Sequence, residues 1–132
     1  MKYVCLVHVD GSAMAALSQE DGAKLVDESI DFDWDTRRRG QLILAQPLQP
    51  PETAVVIRVR NGQRSTTDGP FAETKEFLGG FFLIEARDLD EAVELAGRSP
   101  MARMGSIEVR PVLDQTHSVT GGGRPELEQD QT

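Results

Sequence analysis

One cysteine, Cys5, stands among the 132 residues, so no disulfide framework can form within the chain. No HxxH, HExxH or CxxC arrangement occurs, and no zinc site is expected. Asp31-Phe32-Asp33-Trp34-Asp35 has the alternating acids of a calcium loop, but Thr36 replaces the turn glycine and Leu42 the twelfth-position glutamate. Gly121-Gly122-Gly123-Arg124 is not followed by Lys-Ser/Thr nor preceded by a strand, so it is not a phosphate loop. Long apolar runs are missing too. The opening stretch Tyr3–Val9 has seven residues and stops at Asp10, too short for a membrane span or a signal-peptide core. Basic charge is scarce: 14 Lys+Arg oppose 22 Asp+Glu, for a net charge of −8. Arg37, Arg38 and Arg39 follow seven acids in Glu20–Asp35, as a helix dipole favours, and do not make the basic stripe that nucleic acid requires. These absences predict a soluble, cytoplasmic protein with no metal, cofactor, membrane or nucleic-acid partner.

What is present is a regular succession of elements. Tyr3–Val9 is apolar on both alternating faces, with Tyr3, Cys5, Val7 and Val9 on one and Val4, Leu6 and His8 on the other. Such a strand lies at the centre of a sheet. Asp10-Gly11-Ser12 predicts a turn. Ser18 is a natural N-cap for a helix running to about Arg39, with Leu25, Val26, Ile30 and Trp34 at helical spacing and Gly40 at its exit. Gln41–Gln46 reads as a strand ended by Pro47, Pro50 and Pro51. Ala54–Arg60 and Gln63–Thr67 flank Asn61-Gly62, the strongest short-range hairpin signal. Phe81–Ala86 is again apolar on both faces. Asp88 with Glu91 opens a second helix that ends at Gly97 and Pro100, and Ser106–Val112 alternates as a last strand. The sequence divides into a domain over 1–113 and an acidic, mobile tail over 114–132.

The order is β-α-β-(hairpin)-β-α-β. Right-handed crossovers then give an α+β, ferredoxin-like fold: an antiparallel sheet, two helices on one face and an inserted hairpin. Two helices shelter one face only, whereas both central strands are apolar on two. The uncovered face calls for a second copy, and a homodimer packed sheet to sheet is predicted.

Asp68-Gly69-Pro70-Phe71-Ala72-Glu73-Thr74-Lys75-Glu76, followed by Leu78-Gly79-Gly80-Phe81, resembles the signature of the DGPF group of YCII-related proteins. The resemblance continues through Arg87–Ala92 and Gly105–Pro111 and covers roughly residues 1–112. It implies a dimeric α/β-barrel of ferredoxin-like subunits, a bacterial origin, and a link to extracytoplasmic-function sigma factors. It also implies kinship with a dechlorinating enzyme of aromatic degradation, for which a His–Asp pair with the histidine on the first helix has been proposed. Here helix 18–39 has no histidine, and Ser99 stands near the place of that aspartate, so the pair is not carried over.

Candidate site residues follow from the residues themselves. Asp68 sits on a turn stiffened by Pro70, where its carboxylate serves as general base or ligand acceptor, or else closes an Asx-turn. Glu73 and Lys75 lie on the connector after it; Lys75 either faces a small polar or anionic ligand or forms a surface ion pair. His8 near the end of the first strand is an acid/base candidate or a satisfied interface residue, with Arg103 and Ser106 expected to return beside it. Two functions compete. One is a small-molecule site at the sheet edge, using metal-free acid/base chemistry on a small polar or acidic compound. The other is a non-enzymatic interaction module of sigma-factor regulation. They separate on whether Asp68, His8 and Arg103 converge.

Overall fold

The computed structural model describes residues 1–127. Four strands form one antiparallel sheet: β1 (Lys2–Asp10), β2 (Leu42–Pro47), β5 (Glu76–Glu85) and β6 (Gly105–Pro111), in the order β2-β5-β1-β6. With helices α2 (Gln19–Arg38) and α3 (Leu89–Gly97) between β1 and β2 and between β5 and β6, this is the ferredoxin-like arrangement. Among the described residues β3 (Val55–Arg60) and β4 (Gln63–Asp68) pair only with each other, as a separate ribbon. Asn61 at φ 52° and Gly62 at φ 74° make its tight turn, where both central residues must be left-handed.

The two faces of β1 have different environments. Tyr3, Cys5, Val7 and Val9 are buried and join Phe82 and Ile84 of β5 and Ala92, Leu95 and Ala96 of α3 in the core. Phe32 of α2 closes this layer, its ring edge-on to Phe82 at 6.0 Å between centroids. Cys5 is fully enclosed, and burial pushes its thiol pKa up to about 12, so it is an inert apolar filler. On the other face Lys2, Val4, Leu6 and His8 are half-buried, and none of them joins that core.

Caps fall where the side chains dictate. The Ser18 hydroxyl accepts from the Asp21 N–H at 3.1 Å, the Asp88 carboxylate accepts from the Glu91 N–H at 2.9 Å, and Gly40 leaves α2 at φ 73°. Two expectations need correction. Asp10-Gly11-Ser12 is not a bare turn: the Asp10 carboxylate accepts from the N–H groups of Ser12 and Ala13 and caps a short helix, α1 (Gly11–Ala15). The Ser12 hydroxyl bonded to it is the main cause of its lowered pKa.

Second, the apolar set of α2 divides. Leu25 and Thr36 are buried and Phe32 packs inward, but Val26, Ile30 and Trp34 point to solvent. Spacings of i, i+4 and i+8 suit either face of a helix, and Leu25, Phe32 and Thr36, at i, i+7 and i+11, take the inner one. Asp33, partly buried on this helix, has its pKa raised by desolvation. A raised carboxylate pKa favours folding below the unfolded value and loses that contribution as pH rises through the folded one. Asp33→Asn is therefore expected to raise Tm slightly at pH 7 and to leave it unchanged at pH 3, as thermal melts at the two pH values would show.

Residues 114–127 carry contacts of their own. His117 Nδ1 accepts from the Val119 and Thr120 N–H groups, and Glu126 bonds Lys2 Nζ at 2.6 Å. Residues 128–132 of the expected mobile tail lie outside the described residues.

Candidate functional site

The outward face of the sheet gathers its polar groups at the end of β1. His8 pairs in register with Ser106 of β6 on one side and with Leu78 of β5 on the other. Strand neighbours in register share a face, so these side chains stand together. His8 Nε2 lies 3.1 Å from Glu108 Oε1. The Ser106 hydroxyl donates to Glu76 Oε1 at 2.7 Å. Leu6 pairs with Phe81, and Val4 with Leu83, giving this polar group an apolar floor. The imidazole thus has one nitrogen held by a carboxylate, and Nδ1 has no hydrogen-bond partner among the described residues. Such a histidine can pass a proton at Nδ1 while Glu108 fixes the ring.

A glycine makes the juxtaposition possible. A Cβ at Gly105 would collide with the His8 carbonyl oxygen and would lie 3.1 Å from the Asp10 nitrogen. β6 therefore approaches β1 closely where Ser106 meets His8. Gly79, beside the register shift between Val7 and His8, is similarly confined: a Cβ there would meet Val9 Cγ2 at 2.5 Å.

The other expected members do not join this group. Arg103 Nη2 bonds Glu28 Oε2 of α2 at 2.9 Å, on the helical side of the sheet, so the expected return of Arg103 beside His8 is corrected. Asp68 ends β4, opposite Val55 in the separate ribbon, and shares no hydrogen bond, ion pair or cleft with His8 among the described residues. Nor does its carboxylate close an Asx-turn: the Gly69 N–H donates to the Ala54 carbonyl at 2.7 Å, with Gly69 at φ 100°. Glu73 lines a small open cleft of about 150 Å³ with Glu52, Thr74, Pro51, Pro70 and Phe77. The charge of Lys75 acts on Asp10, where it contributes to holding that carboxyl down. Asp68, His8 and Arg103 do not converge among the described residues of the chain.

Glu108 and Glu76, the first residue of β5, are site residues absent from the sequence candidates. The signal for Glu108 was its position two residues after Ser106, which returns it to the same face.

The fold and the face-divided sheet define an α+β domain of ferredoxin-like type. The YCII-related domain family model matches residues 1–116, and the chain belongs to that family. An uncharacterised protein of Rhizobium meliloti (strain 1021) is 36% identical over 114 residues, spanning 85% of this chain and 92% of that protein. Among solved structures, the chain is similar to 5-chloro-2-hydroxyhydroquinone dehydrochlorinase (TftG) from Burkholderia phenoliruptrix AC1100, in complex with 2,5-dihydroxybenzoquinone. The TM-score is 0.52 at 10% identity, covering 87% of this chain and 96% of the other, a likeness of fold. No helix among the described residues is long and apolar enough to cross a membrane.

Proposed function

We propose that the outward sheet face around His8 binds a small polar or acidic compound and that His8 exchanges a proton with it at Nδ1. The observation that carries this is the 3.1 Å contact of His8 with Glu108, beside Ser106 and above Leu6 and Phe81. Glu108 positions the ring, Ser106 offers a hydroxyl, and the apolar floor suits a flat ring. The dihydroxybenzoquinone held by the TftG neighbour makes phenols, hydroxyquinones and small aromatic acids the first compounds to try. The face is shallow in one subunit, and ligand sites enclose most of what they bind. A second copy packed over Val4, Leu6, Phe81 and Leu83 supplies the enclosure, so the working unit is a homodimer.

A melting screen tests this. A ligand present at about 100 times its Kd stabilises the folded state by about 2.7 kcal/mol. At roughly 4 °C per kcal/mol for a chain of this length, that is a rise of about 10 °C. Wild type should show such a rise with one compound of this class, and His8→Ala should lose most of it. Asp68→Ala, in the other ribbon, should retain it. Retention by His8→Ala with loss by Asp68→Ala would move the site to the loop, and no response to any member would favour the interaction module.

A further inference from the structure

A hollow of about 200 Å³ opens on the helical side of the sheet, lined by the C-terminal ends of α2 and α3. Phe32 and Leu95 give it an apolar wall that is continuous with the core. Its charged lining is Arg39 and Arg98 against a single acid, Asp35. Asp35 is already held by Arg38 Nη1 at 2.9 Å. Glu91, the acid beside Gln41, is taken by Arg87 at 3.0 Å, and Glu94, one turn before Arg98, forms no ion pair with it. Among the described residues, the side chains of Arg39 and Arg98 have no ion-pair or hydrogen-bond partner.

An arginine at a helix end ordinarily bonds the last carbonyls. Here backbone groups do that work. The Gln41 N–H donates to the Thr36 carbonyl and the Gly40 N–H to that of Arg37, closing α2. The Arg98 and Ser99 N–H groups donate to the Leu95 and Ala96 carbonyls, closing α3. Both guanidinium groups are therefore left over from capping, and two full charges outweigh the partial charges of the helix ends. The Gln41 carboxamide, which also lines the hollow, makes only a long contact to Glu91 at 3.5 Å and has a donor to spare.

This donor set selects its ligand. One guanidinium fork satisfies both oxygens of a carboxylate. Two forks and an amide call for a group with three acceptor oxygens and close to two negative charges, which a phosphate monoester has. We propose that the hollow binds a small organic phosphate monoester, Arg39 and Arg98 holding its oxygens and Phe32 and Leu95 receiving its carbon substituent. The hollow is smaller than the clefts of about 300–1,000 Å³ that take drug-sized ligands, so the substituent is short. A net charge of −8 turns the protein away from anionic membranes, which favours a free ester over a lipid headgroup. The site shares no residue with the His8 face and stands whether or not that face binds a ligand.

Calorimetric titration of the full chain with n-butyl phosphate tests this. Butyl phosphate should bind about tenfold more tightly than butyrate, which lacks the third oxygen and second charge, and than inorganic phosphate, which lacks the substituent. Arg39→Gln and Arg98→Gln should each weaken it about tenfold, and Arg98→Lys should recover only part of the loss, because an ammonium keeps the charge without the fork. Both arginines are exposed, so the variants should melt as the wild type does. Amide shifts in nuclear magnetic resonance should centre on Thr36, Gln41 and Leu95, and His8→Ala should bind as the wild type does. An affinity unchanged by either Gln substitution, equal binding of butyrate or of inorganic phosphate, or no binding at millimolar concentration overturns the proposal. Loss of binding in His8→Ala overturns it too, by placing the ester on the outward face. Co-sedimentation with vesicles containing phosphatidic acid, without a response to butyl phosphate, would assign the arginines to a lipid headgroup instead.

Discussion

Gly105→Ala is expected to destabilise the protein by more than about 3 kcal/mol, the upper range for an overpacked site whose neighbours cannot yield. The added methyl would be driven into the His8 carbonyl, 3.0 Å from its carbon and 3.1 Å from the Asp10 nitrogen. These are backbone atoms of a central strand, so relief comes only by parting β6 from β1. The same movement carries Ser106 and Glu108 away from His8. Urea melts check the stability. Gly22→Ala is the matching control: nothing lies within 4 Å of its added carbon. In the body of α2 that change should be neutral or stabilising, by up to about 1 kcal/mol.

A pair of neighbouring substitutions in β5 gives the second large effect. Ile84 is fully buried, and Ile84→Ala should cost about 2–5 kcal/mol through lost transfer energy and the cavity left behind. Leu83 points to the opposite face and is half-buried. In an isolated subunit Leu83→Ala should cost less than about 1.5 kcal/mol, because little apolar area leaves water. Under a second copy it should approach the cost of Ile84→Ala, and the melting temperature should then depend on protein concentration. A small, concentration-independent effect at Leu83 would contradict the sheet-to-sheet dimer.

The sequence made the main sheet legible because its signals agree. Short runs apolar on both faces mark β1 and β5, Ser18 and Asp88 open the helices, and Asn61-Gly62 closes the ribbon. Where two structures satisfy one pattern, it decides less. Leu25, Val26, Ile30 and Trp34 fit a single stripe, yet Phe32 takes the inner face and leaves three of them outside. Asp10 reads as a turn residue and is an N-cap, because the same side-chain bonds to backbone N–H groups serve both. The site was legible in part. His8 and Ser106 follow from antiparallel order, since β6 must return beside β1. Arg103 precedes that strand in a 3₁₀ turn, Pro100–Met104, whose backbone turns its side chain toward Glu28. A local motif cannot reveal such a direction. Asp68 drew notice through the rigidity of Gly69-Pro70, but rigidity sets a turn and not its distance from another strand.

The location of a bound ligand is the most direct test. In a titration followed by nuclear magnetic resonance with any compound that raises the melting temperature, the account predicts shifts centred on the His8 imidazole, Leu6, Phe81, Ser106 and Glu108. Shifts confined to Glu52, Glu73, Thr74 and Phe77, with His8 unmoved, would contradict it.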